Sequence, residues 1–250
     1  MKRILQNIII IVCLFTFCFF AYKIYNYKKE ESKQKDLNGN LIESAVKVTK
    51  KDDTENDDND KYKLPVDVDF KVLKEQNEDI IAWLYSEGTA INYPVVQAND
   101  NDYYLRRLID GTYNQAGTIF MDYKNNSNFD DYKTILYGHN MKNGTMFGTL
   151  TNYKNQEYYN EHKEMYLFTE NKNFKVELVA GYITSSESHI YTLNATRNTN
   201  SELLQNSISK STFKSEAEVK TQEKILVLST CDYDFKNARY VLLGVLREID

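Results

Sequence analysis

Lys224-Ile225-Leu226-Val227-Leu228-Ser229, then Thr230-Cys231, and a little later Ala238-Arg239-Tyr240-Val241-Leu242-Leu243-Gly244-Val245-Leu246, form the stretch that decides the fold. Both apolar runs are short and rich in aliphatic side chains, and a polar connection separates them. That pattern predicts two buried strands lying side by side. Working back along the chain, similar runs predict strands at 174–180, 165–168, 134–137, 117–121 and 91–96. The last contains Pro94, which predicts an edge or a bend. Phe70–Asn77 has apolar residues near helical spacing and leads toward a strand at Ile80–Leu84. Residues 99–108 read as a capped short helix, and 155–165 as another. Many short strands with a few short helices predict a mainly β fold, a barrel or a sandwich, rather than a parallel α/β sheet. No internal repeat interrupts this reading.

Outward from these strands the chain changes character. From Thr184 to Lys224 it is polar and rich in Ser, Thr and Asn, with one helical stretch near 202–208. So long an insertion in a compact domain is functional or mobile. The folded domain is expected over 63–250, beginning near Leu64-Pro65, after a polar charged stalk at 28–62. Within the stalk, Lys50 to Asp60 has no apolar residue and is expected to stay solvated. A calcium loop there would need the glycine and closing glutamate of an EF-hand, and both are missing. Residues 1–27 are expected to anchor the chain in a membrane, because Ile4 to Tyr22 is interrupted only by Gln6, Asn7 and Thr16. A cleaved leader would have a shorter apolar run and a small-residue cleavage site, whereas here tyrosines follow. Lysine counting (Lys2 and Arg3 before the span, five lysines soon after it) would keep the C-terminal side inside. The formal net charge of −5 and the lack of a basic block outside the stalk speak against nucleic acid as a partner.

Cysteine usage narrows the chemistry. Cys13 and Cys18 lie in the apolar run and Cys231 is alone in the rest of the chain, which excludes a disulfide scaffold, and no zinc-finger spacing is present. Cys231 is therefore either a buried filler or a reactive thiol. Eight residues later comes Arg239, at the start of the last strand. A connection of that length brings an arginine back beside the thiol, where it favours the thiolate and can donate to an oxyanion. A nucleophilic cysteine also needs a proton partner, normally histidine. His162 lies on a charged helical surface and reads as a solvated residue. His189 lies in the polar insertion. His139 follows a strand and Gly138, whose freedom would permit a tight turn lifting the imidazole off the sheet. Position alone leaves His139 either catalytic or a turn residue.

Leu228-Ser229-Thr230-Cys231 resembles the sortase signature Leu-x-Thr-Cys, with Arg239 at the place of the family's essential arginine. Tyr137-Gly138-His139-Asn140-Met141 resembles the stretch that carries the sortase histidine. The run from Ser229 to Val241, an N-terminal helical extension and a helix-bearing insertion are similar to class B in particular. The resemblance spans about residues 63–250. It implies an eight-stranded sortase-type β-barrel and a two-step acyl transfer without metal or organic cofactor. Cys231 would be the nucleophile and His139 the proton carrier, while Arg239 would hold the oxyanion or the substrate backbone, with Thr230 and Ser229 lining the groove. It implies as partners surface proteins bearing a C-terminal sorting signal cut after threonine, and a cell-wall peptide amine as acceptor. It also implies a single-pass membrane protein with its catalytic domain on the extracellular face, against the lysine count. Two other readings use the same residues: a cysteine peptidase that releases its product to water, and a tethered binding domain with a structural thiol. The pilin-polymerising variant is disfavoured, because no Asp-Pro-aromatic lid precedes the barrel.

Overall fold

The computed structural model describes residues 2–49, 64–193, 197–220 and 223–249. The chain divides into two units, Met1–Asn40 and Leu41–Asp250. In chain order the helices and strands are α1 (Lys2–Ala45), β1 (Val46–Val48), β2 (Val66–Val68), α2 (Phe70–Gln76), β3 (Ile80–Tyr85), β4 (Asn92–Val96) and β5 (Ile119–Met121). There follow β6 (Lys133–Tyr137), α3 (Gln156–Glu161), β7 (Glu164–Phe168), β8 (Asn173–Ser185), α4 (Arg197–Ser209), β9 (Lys224–Cys231) and β10 (Ala238–Ile249). Short 3-10 turns occupy Tyr104–Arg106, Leu150–Lys154 and His189–Tyr191.

In the first unit α1 is long and apolar enough to cross a bilayer, and none of its most apolar window is buried within the protein. The second unit opens at Leu41, earlier than the residue 63 suggested by composition. The charged run distracts from the apolar residues on either side of it. Val46–Val48 pairs antiparallel with Val66–Val68, while Leu41, Ala45 and Val46 are buried. The solvated run and the calcium-loop candidate at Lys50–Asp60 lie outside the described residues.

The eight remaining strands close a barrel in the order β10-β8-β7-β3-β4-β5-β6-β9. Neighbours run antiparallel except β4 with β5 and β6 with β9. Closure leaves no free sheet edge. Pro94 is therefore not on an edge strand; it stands just before Val95 and Val96, the two residues of β4 that pair with β5, and costs that ladder nothing. The helix expected at 99–108 is only the 3-10 turn Tyr104–Arg106. The Asp100 carboxylate accepts from the N–H groups of Asp102 and Tyr103 in the manner of a helix N-cap, but Arg107 is already extended, so the capped segment makes only this short turn.

The pattern of β9 explains itself once both its faces are covered. Leu226 and Leu228 enter the barrel core with Leu242, Tyr240 and Leu136. Ile225 and Val227 point the other way, into a second core with Ile135, Val241, Leu243 and Val245. The insertion supplies the cover over that outer core through Ile190 and Leu204. Burial on both sides is why residues 225–228 read as one continuous apolar run without alternation.

Candidate active site

Period-two geometry places the polar end of β9. Ser229 and Cys231 continue the face of Ile225 and Val227, and so emerge toward the insertion rather than into the barrel. Cys231 is half-buried and pairs directly with Arg239 on antiparallel β10, so the two side chains share one face. On the other side of β9, Tyr137 of parallel β6 pairs with Ser229, and the chain leaves β6 through Gly138 and His139. Three neighbouring strands thus deliver thiol, guanidinium and imidazole to one cleft of about 320 Å³. Cys231, His139, Arg239, Ser229 and Thr230 all line it, with Tyr137, Tyr191, Leu105 and Asn101 among the walls. His162 and His189 do not line this cleft. His162 instead caps α3 and packs on Tyr158, with ring centroids 4.5 Å apart.

Each group is held by named bonds. One imidazole nitrogen, Nε2 of His139, is 2.7 Å from the Leu105 carbonyl oxygen. Burial pushes the His139 pKa below its ordinary value; the Leu105 carbonyl opposes this and the nearby Arg106 charge adds to it. Asn140 Nδ2 donates to the Cys231 carbonyl oxygen at 2.8 Å, and Thr230 Oγ1 donates to the Gly138 carbonyl oxygen at 2.8 Å. These two bonds tie the histidine turn to the cysteine strand. Arg239 Nη1 donates to the Ala238 carbonyl oxygen at 3.0 Å, which also accepts from the Asp232 N–H. Among the described residues, no group of three or more His, Cys, Asp or Glu could hold a metal ion.

Gly138 owes its place to packing. Its φ is not positive, so the tight-turn reading does not hold. A Cβ built there would lie 2.6 Å from Cδ2 of Phe147, a fully buried ring. Gly138→Ala is expected to destabilise the protein by about 1–3 kcal/mol through overpacking. Denaturant unfolding of the variant against the parent checks this.

Sequence reasoning missed the residues by which the insertion builds a wall of the cleft. The Tyr191 hydroxyl is 2.8 Å from Ser229 Oγ, and its ring stacks on Tyr137 with centroids 6.3 Å apart. Burial raises the Tyr191 pKa to about 12, so it stays a neutral phenol at neutral pH. Tyr191 is held in place from behind. Lys133 of β6 is only 2% exposed and donates to the carbonyl oxygens of Ile190 at 2.8 Å and Thr192 at 2.7 Å. Lys133→Met would leave both carbonyls without their donor. Hydrogen exchange at 189–193 is expected to quicken about 10- to 100-fold, as follows from leaving buried acceptors unpaired. Exchange mass spectrometry reads it directly.

A β-barrel with a lone thiol facing an arginine, beside a histidine, can be compared with known proteins. The sortase domain family model matches residues 84–247, well over half of the chain. The sortase B of Listeria monocytogenes is 32% identical over 248 residues, covering 98% of each chain.

This chain belongs to the class B sortases.

Solved sortases agree with the assignment. The Clostridium perfringens sortase B superposes with a TM-score of 0.67 at 38% identity, covering 73% of this chain and all of that one. A Bacillus anthracis protein described as similar to sortase B gives 0.72 at 31% identity, over 90% of this chain and 98% of its own. Membership makes the chain a sortase-type cysteine transpeptidase of the cell wall, and the eight-stranded barrel expected from the resemblance is the one observed.

Proposed function

We propose that this sortase cleaves the C-terminal sorting signal of surface proteins after threonine and joins the new carboxyl end to a cell-wall peptide amine. The observation that carries the reading is the Cys231–Arg239 strand pairing beside His139 in a single cleft. In the first step the Cys231 thiolate attacks the threonine carbonyl carbon. Arg239 donates to the oxyanion that forms, having two forked N–H edges suited to it. The C–N bond breaks as the leaving amine takes a proton from the His139 imidazolium, and a thioester remains on Sγ. In the second step His139 removes a proton from the incoming amine, which attacks the thioester. The C–S bond then breaks and the thiolate returns. Two acyl transfers replace one difficult amide exchange.

Ser229 and Thr230 are proposed as groove residues that act through backbone and shape, since both hydroxyls already have partners in Tyr191 and Gly138. The N-terminal apolar helix fits a membrane anchor. We assign residues 1–27 to it, and the catalytic domain to the extracellular face, where sorting substrates and cell-wall amines are found. Peptides of the NPQTN, LPxTG and SPxTG types, incubated with and without a small peptide amine, test the reading. Transfer product that grows with added amine supports it. Hydrolysed product alone, at every amine concentration, would establish a peptidase instead.

A further inference from the structure

The connection from β9 to β10 holds a charge arrangement that the acyl-transfer chemistry does not use. Asp232 follows the cysteine directly and its side chain is only 3% exposed, yet it carries a carboxylate. Lys154, at the end of the Leu150–Lys154 turn, reaches it from a part of the chain far away in sequence. Its Nζ lies 2.9 Å from Asp232 Oδ2 and 3.3 Å from Asp234 Oδ1. Asp232 is also tied locally: its Oδ1 accepts from the Asp234 N–H at 3.1 Å, and its own N–H donates to the Ala238 carbonyl oxygen. That same carbonyl oxygen receives Arg239 Nη1. Burial works against the Asp232 charge, but Lys154 and the Asp234 N–H outweigh it, so the carboxyl sits below its ordinary range. The phenol of Tyr240, whose pKa burial raises, is the other titratable group that feels Asp232.

Two carboxylates in the six-residue connection between β9 and β10 pose a problem. Unneutralised, they would set negative charge beside a thiolate and repel one another across a short loop. We propose that Lys154 is a positioning residue of the active site: by bridging Asp232 and Asp234 it holds the β9–β10 connection in place and offsets part of the negative charge that would oppose the anionic form of Cys231. This rests on Cys231 being the nucleophile. The other groups facing the thiol, namely Arg239, His139, Tyr137 and Tyr191, are left unchanged by substitutions at 154 and 232. Arg106, close to His139, is likewise untouched.

The test is the pH dependence of iodoacetamide alkylation of the full chain, read by mass spectrometry on the peptide containing Cys231 so that Cys13 and Cys18 do not interfere. Lys154→Met is expected to move the alkylation midpoint upward, slowing the reaction at neutral pH about three- to tenfold, as an uncompensated charge at loop distance implies. Asp232→Asn is expected to move it downward, the double variant to return close to the parent, and Lys154→Arg to match the parent. A role in packing alone would give none of these opposed shifts. If Lys154→Met does not fold, Asp232→Asn decides: a downward shift supports the proposal, and an unchanged or upward midpoint overturns it. Lys154→Met leaving the profile unmoved overturns it too. A parent protein whose Cys231 shows no pH-dependent alkylation at all would instead overturn the assignment of the nucleophile.

Discussion

Cys231→Ala should abolish both signal cleavage and transfer, with activity reduced by about 10⁴-fold or more, as removal of a covalent nucleophile does elsewhere. The loss should come without unfolding. Cys231 is half-buried, ends its strand, and is tied into the site through its carbonyl oxygen, which accepts from Asn140 whatever the side chain. Removing one sulfur from a partly open cleft creates little cavity, so the denaturation midpoint should stay within about 1 kcal/mol of the parent. Cys231→Ser should fare no better in activity. A hydroxyl is far less acidic than a thiol, and the histidine here would have to act as a strong base rather than partner an anion already formed. Activity in the alanine variant equal to the parent would return Cys231 to the role of a structural thiol.

His139→Gln comes second in size. Positioned proton transfer contributes about 10²- to 10⁴-fold, and both half-reactions draw on the same imidazole, so a loss near the upper end is expected. Glutamine keeps a polar group able to reach the Leu105 carbonyl, which separates lost proton transfer from lost packing. The pH profile adds a signed expectation. The leaving amine needs the imidazolium form, whose population falls as pH rises through the histidine pKa. Burial lowers that pKa, and Arg106 adds to the effect. The alkaline fall in first-step rate should therefore begin below the ordinary histidine value of about 6.5, and His139→Gln should erase that limb. A mutant that retains the limb would assign it to another group.

Much of the molecule could be read from its residues, and the parts that could not have identifiable causes. The last two strands were legible because Ile225 to Leu228 and Val241 to Val245 are apolar on both faces, which few other structures require. Their direct pairing, with Cys231 opposite Arg239, follows from the short polar connection between them. The helical segment at 202–208 was legible too, although α4 is longer and runs from Arg197 to Ser209. What escaped depended on partners that have no side-chain signature. The group that meets His139 is the backbone carbonyl of Leu105, and any residue at 105 offers the same oxygen. Gly138 looked like a turn residue, but the ring of Phe147 nine residues on requires its small size. The insertion read as functional or mobile, yet the contacts that make it a wall, Tyr191 on Ser229 and Lys133 of β6 beneath it, needed three-dimensional register to form. A buried lysine reads in sequence as an ordinary strand-end charge.

The central claim is a covalent thioacyl step on Cys231, and intact-protein mass spectrometry tests it most directly. The full chain would be mixed with sorting-signal peptides in the absence of an acceptor amine, quenched in acid, and digested to locate any adduct. The account predicts a mass increase equal to the peptide portion ending in threonine, carried by Cys231, reversed on adding an amine and absent in Cys231→Ala. Cleavage after threonine with no adduct at any time, or an adduct that persists in Cys231→Ala, would contradict it.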